Sequence, residues 1–322
     1  PLLPLMTIYD FFIKRALDQF FYNVYWKSSF ILVGTPSGVT LSPEGAQHSW
    51  KSDLQIPNGI TWEPAYAPEM DWIIADAIQR HFSRQNKDRE GVLIRGVTRG
   101  LEQKGFLENL KAQPRFAGQE ESQILEEIRK DVLEGGYWLV NHEGAEGYAP
   151  GDNVVHIFVM GALAPEAIAA SRLLFEREGI LANVLVVTSP DLLIGTLARE
   201  NGYSHLKNKL GVNGNLYLTS GTIENRADLL AMRGSRITIV AVCDGEPGLL
   251  DNIGSIVGVP QDTLAVRKHS KSGRPVDVYQ YHHLDAESIA HKAVEVMTLA
   301  TDQEIQVAAS LLDEVQPSRL KA

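Results

Sequence analysis

The chain has a single cysteine, Cys243, among 322 residues, so no disulfide can form within it. One thiol cannot build a thiolate zinc cage, and no spacing of the histidines matches a zinc site. Scarce cysteine suits a reducing compartment, and we expect a cytoplasmic protein. Cys243 ends an apolar stretch, which favours a buried structural thiol over a nucleophile.

Long apolar runs and an excess of positive charge are also missing. The longest apolar stretches, such as residues 154–159, are far too short to span a bilayer. The amino terminus has neither the basic region nor the cleavage site of a signal peptide. A formal net charge of −10 argues against nucleic-acid and anionic-membrane partners. The chain starts at an apolar Pro1 rather than at Met, and we expect it to be part of a longer protein.

Several catalytic signatures are lacking. There is no GxSxG elbow of a serine hydrolase, no P-loop and no dinucleotide fingerprint. The stretches GDN at 151–153 and DGEPG at 244–248 resemble phosphate or metal loops only faintly, and turns beside strands explain both. The pair His282 and His283 precedes a helix, where a surface or hydrogen-bonded histidine pair is the default interpretation.

The pattern of apolar and amphipathic stretches along the chain indicates an α/β protein. Hydrophobic residues make up 44% of the chain and charged residues 22%, as in an ordinary globular protein. Short apolar runs alternate with amphipathic stretches, which predicts parallel sheets flanked by helices. Examples are strands at 30–33 and 91–97, helices at 9–27 and 119–133, and an irregular segment at 101–118.

The same pattern predicts two domains. The charged helix at 119–133 and a turn-rich stretch near 143–152 interrupt the alternation of strands and helices. We therefore place one domain at residues 1–133 and the other at 134–322, each with a mostly parallel sheet.

Residues 29–48, SFILVGTPSGVTLSPEGAQH, contain the most informative side chains. An apolar strand runs into a Gly/Pro/Ser turn that carries Glu44 and, four residues later, His48. A carboxylate can fix a substrate hydroxyl, and an imidazole can move protons near neutral pH. The alternative is a solvated loop in which both residues are incidental.

Phe11 and Phe12 lie in an aromatic-rich predicted helix near the start of the chain. Aromatic rings there could stack on a flat heterocycle. Core packing is the simpler explanation of the pair.

Two motifs carry a resemblance to a known family. The run GTPSGVTLSPEGAQH, followed by IPNGITWEPAYAPEM at 56–70, resembles the transketolase-like group of thiamine diphosphate enzymes. It is most similar there to the homodimeric first, decarboxylating component of pyruvate dehydrogenase complexes. The later segment SGRPVDVYQYHHLDAESI is similar to a segment near the end of the same family. The resemblance spans about residues 4–300.

The resemblance implies both an architecture and a set of site residues. Residues 1–133 would be the pyrimidine-binding domain, incomplete at its amino terminus, and residues 134–322 the transketolase C-terminal domain. Glu44 would face the substrate, and His48 would contact the substrate or a reaction intermediate. Phe11 or Phe12 would stack on the aminopyrimidine ring of the cofactor; the alignment, ambiguous by one residue, does not choose between them.

The resemblance also implies a reaction. The intact enzyme would use thiamine diphosphate and Mg²⁺ to decarboxylate a 2-oxo acid, and would pass the acyl group to a lipoyl-bearing acyltransferase. We expect a homodimeric oxidoreductase. The alternatives are a transketolase-like ketol transferase, or a non-catalytic dimerisation or binding module made of these two domains alone.

The chain departs from the family in three ways. The family's further histidines after the active-site histidine are missing after His48. The GDG…N motif that holds Mg²⁺ and diphosphate is absent, and so is the glutamate that activates the cofactor. No metal ligand is therefore assigned, and we expect this chain alone to be inactive.

Overall fold

The computed structural model describes residues 2–39, 58–83, 91–97, 99–212 and 236–315, with a few side chains within these ranges left undescribed. The strands are β1 (Leu5–Ile8), β2 (Phe30–Ser37), β3 (Gly59–Trp62), β4 (Gly91–Val97), β5 (Gly136–Val140), β6 (Val154–Val159), β7 (Leu181–Val187), β8 (Thr238–Val242) and β9 (Gln261–Leu264). The α-helices are α1 (Leu17–Tyr25), α2 (Ala67–Phe82), α3 (Lys104–Lys111), α4 (Glu121–Leu133), α5 (Ala164–Glu178), α6 (Pro190–Leu193), α7 (Thr196–Glu200), α8 (Ile253–Val257), α9 (Pro275–His282) and α10 (Ala286–Val315).

The first sheet has the strand order β1-β2-β4-β3, and all its neighbours are parallel. The two inner strands are rich in Val, Ile and Leu because helices cover both faces of a parallel sheet. In β4 every residue from Gly91 to Gly96 is buried.

The second sheet has the order β5-β7-β6-β8-β9. Its strands β6, β7, β8 and β9 are parallel, whereas β5 runs antiparallel to β7 at one edge. Every residue of β6, β7 and β8 is buried, so these strands form the centre of the larger core.

The two sheets share one apolar cluster, which includes Ile94 of the first sheet and Val155 of the second. Polar contacts also join them. The Thr61 amide donates to Asp191 Oδ2 at 2.8 Å, and the Glu63 amide donates to the Thr188 carbonyl at 2.9 Å. These contacts hold the end of β3 against the end of β7. The predicted boundary between residues 133 and 134 stays a prediction.

The predicted α/β class with parallel-rich sheets is confirmed, and so is the burial of Cys243. The segment 101–118, expected to be irregular, contains α3, since Phe106 and Leu110 lie one turn apart and bury a common face. The helix expected at 9–27 is divided: residues Asp10–Ala16 form a 3₁₀ helix before α1. Strand β1 was not predicted, because its residues are mostly exposed at the sheet edge.

Within the described ranges, no helix has the length and apolar character needed to cross a membrane.

Candidate active site between the two sheets

The carboxyl ends of the parallel strands of both sheets face each other. Glu63 directly follows β3, Asp244 lies two residues after β8, and Gly161 lies two residues after β6. A side chain at Gly161 would collide with the Glu63 carboxyl group, so the two sheet edges approach closely there. The carboxyl edge of a parallel sheet is where α/β proteins commonly bind ligands.

A buried ion pair forms one wall of this junction. Arg95 of β4 donates through Nη1 to both carboxylate oxygens of Asp10, at 2.8 and 2.7 Å. The side chains are 2% and 0% exposed. Asp10 begins the 3₁₀ helix, so the pair fixes that helix, which also carries Phe11 and Phe12, over the end of β4.

Glu63 is the most perturbed acid of the junction. The residue is 3% exposed, and burial raises the pKa of its carboxyl group from 4.5 to about 8. Asp244 and Asp10 raise this pKa further by charge repulsion, while Arg95 lowers it. At neutral pH the Glu63 carboxyl group is therefore mostly protonated and can donate a hydrogen bond or a proton.

Asp244 faces Glu63 from the second sheet. Its Oδ1 accepts the Val39 amide at 2.9 Å, and its Oδ2 accepts the Tyr279 hydroxyl at 3.0 Å. Burial raises the pKa of Asp244 to about 6, although these two hydrogen bonds and Arg99 oppose the rise. Gly38, with φ +86°, packs against the carboxylate where a side chain would collide with it.

Arg99 completes the polar cluster on the side of α5. Its Nη2 donates to Glu166 at 2.8 Å, and Nη1 donates to the Ala162 carbonyl at 3.2 Å. The guanidinium lies over the Tyr279 ring, 5.0 Å from its centre. The junction thus combines a neutral carboxyl group, carboxylates and two guanidinium groups in a largely water-excluded space.

Of the two rings predicted to stack on a flat cofactor, the structure describes that of Phe12. Phe12 is 41% exposed, contacts Tyr9 edge-on with ring centres 5.4 Å apart, and has the Arg15 guanidinium 4.9 Å from its centre. An accessible ring on the 3₁₀ helix fits a stacking role for a heterocycle such as an aminopyrimidine. Among the described residues, no group of three or more His, Cys, Asp and Glu could hold a metal ion.

The other predicted site residues cannot be compared with this geometry. Glu44, His48 and the side chain of Phe11 lie outside the described residues. Their roles stay predictions.

Sequence reasoning missed the buried polar cluster. Glu63 stands inside the motif IPNGITWEPAYAPEM, directly after a buried strand. An acidic residue at the carboxyl end of a buried strand was the sequence signal that could have identified it. Asp244 belongs to DGEPG, which we assigned to a simple turn. The sequence has no signal for the role of Arg95, because a single arginine in an apolar strand does not indicate which acidic residue it pairs with.

The raised pKa of Glu63 predicts how stability depends on pH. Between pH 4.5 and 8 the folded protein holds a proton on Glu63 that the unfolded chain releases. The free energy of unfolding therefore falls as pH rises through this window, by on the order of a few kcal/mol. Urea unfolding at pH 5.5 and pH 8 measures the difference. Glu63→Gln, which keeps a neutral side chain, should lose clearly less stability over this range than the wild type.

Glu287→Gln provides the control, since Glu287 is exposed and pairs with Arg177 at the surface. It should keep the wild-type dependence between pH 5.5 and 8. An equal loss in Glu63→Gln and wild type would contradict the assignment of the proton to Glu63.

Curated relatives match by sequence over part of the chain. The pyruvate dehydrogenase E1 component of Buchnera aphidicola subsp. Baizongia pistaciae is 25% identical over 198 residues, 59% of this chain and 19% of that protein. The pyruvate dehydrogenase E1 component of Escherichia coli K12 is 27% identical over 199 residues, again 59% of this chain and 19% of that protein. The match thus covers about a fifth of the length of these relatives. No known family profile matches the chain.

Solved structures match over nearly the whole chain, at lower identity. The transketolase of Leishmania mexicana superposes with a TM-score of 0.59 at 13% identity, covering 93% of this chain and 35% of that one. A transketolase mutant from Pichia stipitis gives 0.57 at 15% identity, with 92% and 34% covered. A structure described as a split-gene transketolase, inactive beta4 tetramer, gives 0.53 at 15% identity, with 92% and 77% covered. Together the comparisons confirm the resemblance to transketolase-like thiamine diphosphate enzymes.

Proposed function

We propose that this chain is part of a thiamine diphosphate-dependent 2-oxo acid dehydrogenase of the pyruvate type. The observation that carries the proposal is the sequence match to pyruvate dehydrogenase E1 components over 59% of the chain. The transketolases match by fold at 13–16% identity, which supports the architecture alone. The substrate would be a 2-oxo acid, and the acyl group would pass to a lipoyl-bearing acyltransferase.

Under this proposal, thiamine diphosphate with Mg²⁺ supplies the carbanion chemistry when bound, and the protein supplies position and electrostatics. Phe12 or Phe11 holds the aminopyrimidine ring by stacking. His48 stabilises or protonates charge on the substrate oxygen, and Glu44 binds a polar group of the substrate.

The buried junction would hold in place the 3₁₀ helix that carries the stacking ring. Because Asp10 anchors the 3₁₀ helix to Arg95, the aromatic pair is held at a fixed place on the sheet edge. Because Glu63 keeps its proton, it adds no negative charge to the charges of Asp244 and Asp10 in the junction.

A ketol transferase is the second candidate, because the sequence motifs resemble those of the wider transketolase-like group. Substrate panels separate the two candidates. The test uses the protein purified from its native source, with any chain that co-purifies, and adds thiamine diphosphate and Mg²⁺. We expect pyruvate-dependent reduction of ferricyanide. Turnover of sugar phosphates with no response to 2-oxo acids would overturn the proposal, and no turnover with either would favour the non-catalytic binding module.

We further propose that the protein is a homodimer joined through an aromatic face on α1. Phe21, Tyr22, Tyr25 and Trp26 are 44 to 76% exposed and lie within six residues. Exposed apolar patches of this kind on globular proteins commonly mark interfaces. A second copy is the proposed occupant, because a two-fold contact would cover the same apolar face on both subunits.

Placing charge in this face should separate the subunits. The double variant Tyr25→Glu/Trp26→Glu is expected to sediment as a monomer at a concentration where the wild type sediments at twice that mass, because each subunit would bring two unpaired carboxylates into the interface. Phe175→Glu, at another exposed ring on α5, is the matched control and should stay dimeric. A wild-type monomer would refute the proposal.

A further inference from the structure

A second cleft lies at the opposite edge of the second sheet, at the amino ends of its parallel strands. It has a volume of about 440 Å³ and is bounded by the loop before β6, the first residue of β8, the residue before β9 and the later part of α10. Strand β8 runs from Thr238 in this cleft to Val242 near Asp244. The length of the strand therefore separates the cleft from the candidate active site.

In the part of the chain that the structure describes, two polar atoms of this cleft have no hydrogen-bond partner. Thr238 is 7% exposed, and its hydroxyl has no hydrogen-bond partner in the structure described here. The buried Nε of Arg236 likewise has none within the described ranges. By contrast, the hydroxyls of Thr298 and Thr301, which also line the cleft, donate to carbonyls of their own helix. Buried polar atoms in proteins are nearly always paired, so these two groups call for an acceptor inside the cleft.

The charges around the cleft restrict the chemical class of the ligand that could supply this acceptor. Among the described residues that line the cleft, Asp152, Glu178 and Asp302 place three carboxylates at its exposed rim, and Arg236 supplies one guanidinium. A dianion such as phosphate would be repelled by the rim, while a simple cation would meet the guanidinium inside. A zwitterion satisfies both regions, with its negative end inward and its positive end outward.

The remaining wall is apolar. Ile180, Val294 and Met297 contribute hydrocarbon surface to the lining of the cleft. The volume lies within the range typical of small-molecule sites, which combine apolar walls with a few placed polar groups. The wall therefore suits a ligand with an aliphatic or aromatic side chain.

We propose that this cleft binds an α-amino acid with an apolar side chain. Its carboxylate accepts hydrogen bonds from Arg236 and Thr238, and its ammonium group faces the rim carboxylates. Its side chain packs on α10. The site is separate from the proposed thiamine diphosphate chemistry and does not depend on it.

Isothermal titration calorimetry of the full chain with three related compounds tests the proposal. We expect L-leucine to bind. We expect 4-methylpentanoate, which lacks the ammonium group, and 3-methylbutylamine, which lacks the carboxylate, to bind at least about tenfold more weakly. No heat with L-leucine at about 10 mM, equal affinity for 4-methylpentanoate, or tighter binding of inorganic phosphate would each overturn the proposal.

Single variants locate the site. Arg236→Gln and Thr238→Val should each weaken L-leucine binding about tenfold or more. Asp302 lies at the exposed rim, so Asp302→Asn tests the site even if the buried variants fail to fold; it should weaken the binding of L-leucine but not that of 4-methylpentanoate, which has no ammonium group and is repelled by the rim carboxylates. Arg177→Gln, an exposed arginine of α5 paired with Glu287, is the matched control and should bind L-leucine like the wild type. Unchanged L-leucine binding in Asp302→Asn and in either folded buried variant would refute the site.

Discussion

Replacing Arg95 with leucine is expected to destabilise the protein by about 3–5 kcal/mol. Arg95 and Asp10 form a buried ion pair, and the substitution leaves the Asp10 carboxylate without its guanidinium in a water-poor space. Glu63 would also lose the nearby positive charge that lowers its pKa. Urea unfolding followed by circular dichroism measures the loss.

Arg177→Leu provides the comparison, because Arg177 and Glu287 form an ion pair at the surface with side chains 54% and 61% exposed. Such pairs contribute about 0–1 kcal/mol, so this variant should unfold close to the wild type. The double variant Asp10→Asn/Arg95→Leu should be more stable than Arg95→Leu alone, since a neutral amide replaces the buried carboxylate that has lost its guanidinium. Equal losses for Arg95→Leu and Arg177→Leu would show that the buried pair has no special role in stability.

Replacing His48 with alanine is expected to lower turnover by about 10²-fold or more in the assembled enzyme. The physical reason is the proposed role of the imidazole, which stabilises or protonates charge on the substrate oxygen. The measurement is pyruvate-dependent reduction of ferricyanide by the protein with its co-purifying partners, thiamine diphosphate and Mg²⁺.

His291→Ala is the matched control, because His291 lies exposed on α10. It should retain wild-type turnover. His48→Gln, which keeps hydrogen-bonding capacity but cannot carry an imidazolium charge near neutral pH, should fall between the two and show an altered pH profile. Near-normal turnover of His48→Ala would remove His48 from the proposed active site and leave the fold assignment unaffected.

Local pattern determined much of the architecture. Strands β4, β6 and β8 are apolar runs that each contain one polar residue, and mostly apolar runs of this length predict strands buried on both faces of a sheet. Helix α5 has Pro165 in its first turn and Gly179 after its end, and both are boundary signals that can be read from the sequence. The segment 101–118 was misassigned because its glycines and prolines outweighed the short spacing between Phe106 and Leu110.

Short-range sequence patterns could not predict the buried polar junction between the two sheets. Asp10, Glu63 and Asp244 are separated by 53 and then 181 positions, and no spacing rule relates residues on different strands of different sheets. They meet because strand order and parallel direction bring the carboxyl ends of both sheets to one place. Their protonation states are likewise a property of the assembled core, since burial is the main cause of the raised pKa values.

The sequence by itself determined the α/β class, the resemblance to transketolase-like thiamine diphosphate enzymes, and Glu44 and His48 as candidates, because these rest on residues adjacent in the chain. Only the tertiary structure decided that burial raises the pKa of Glu63 beside Asp244, that Arg95 holds Asp10, and that the Thr238 hydroxyl and the Arg236 Nε find no partner among the described residues around a second cleft. Those properties depend on which side chains become buried next to one another. The residues concerned are far apart in the sequence, and only folding brings them together.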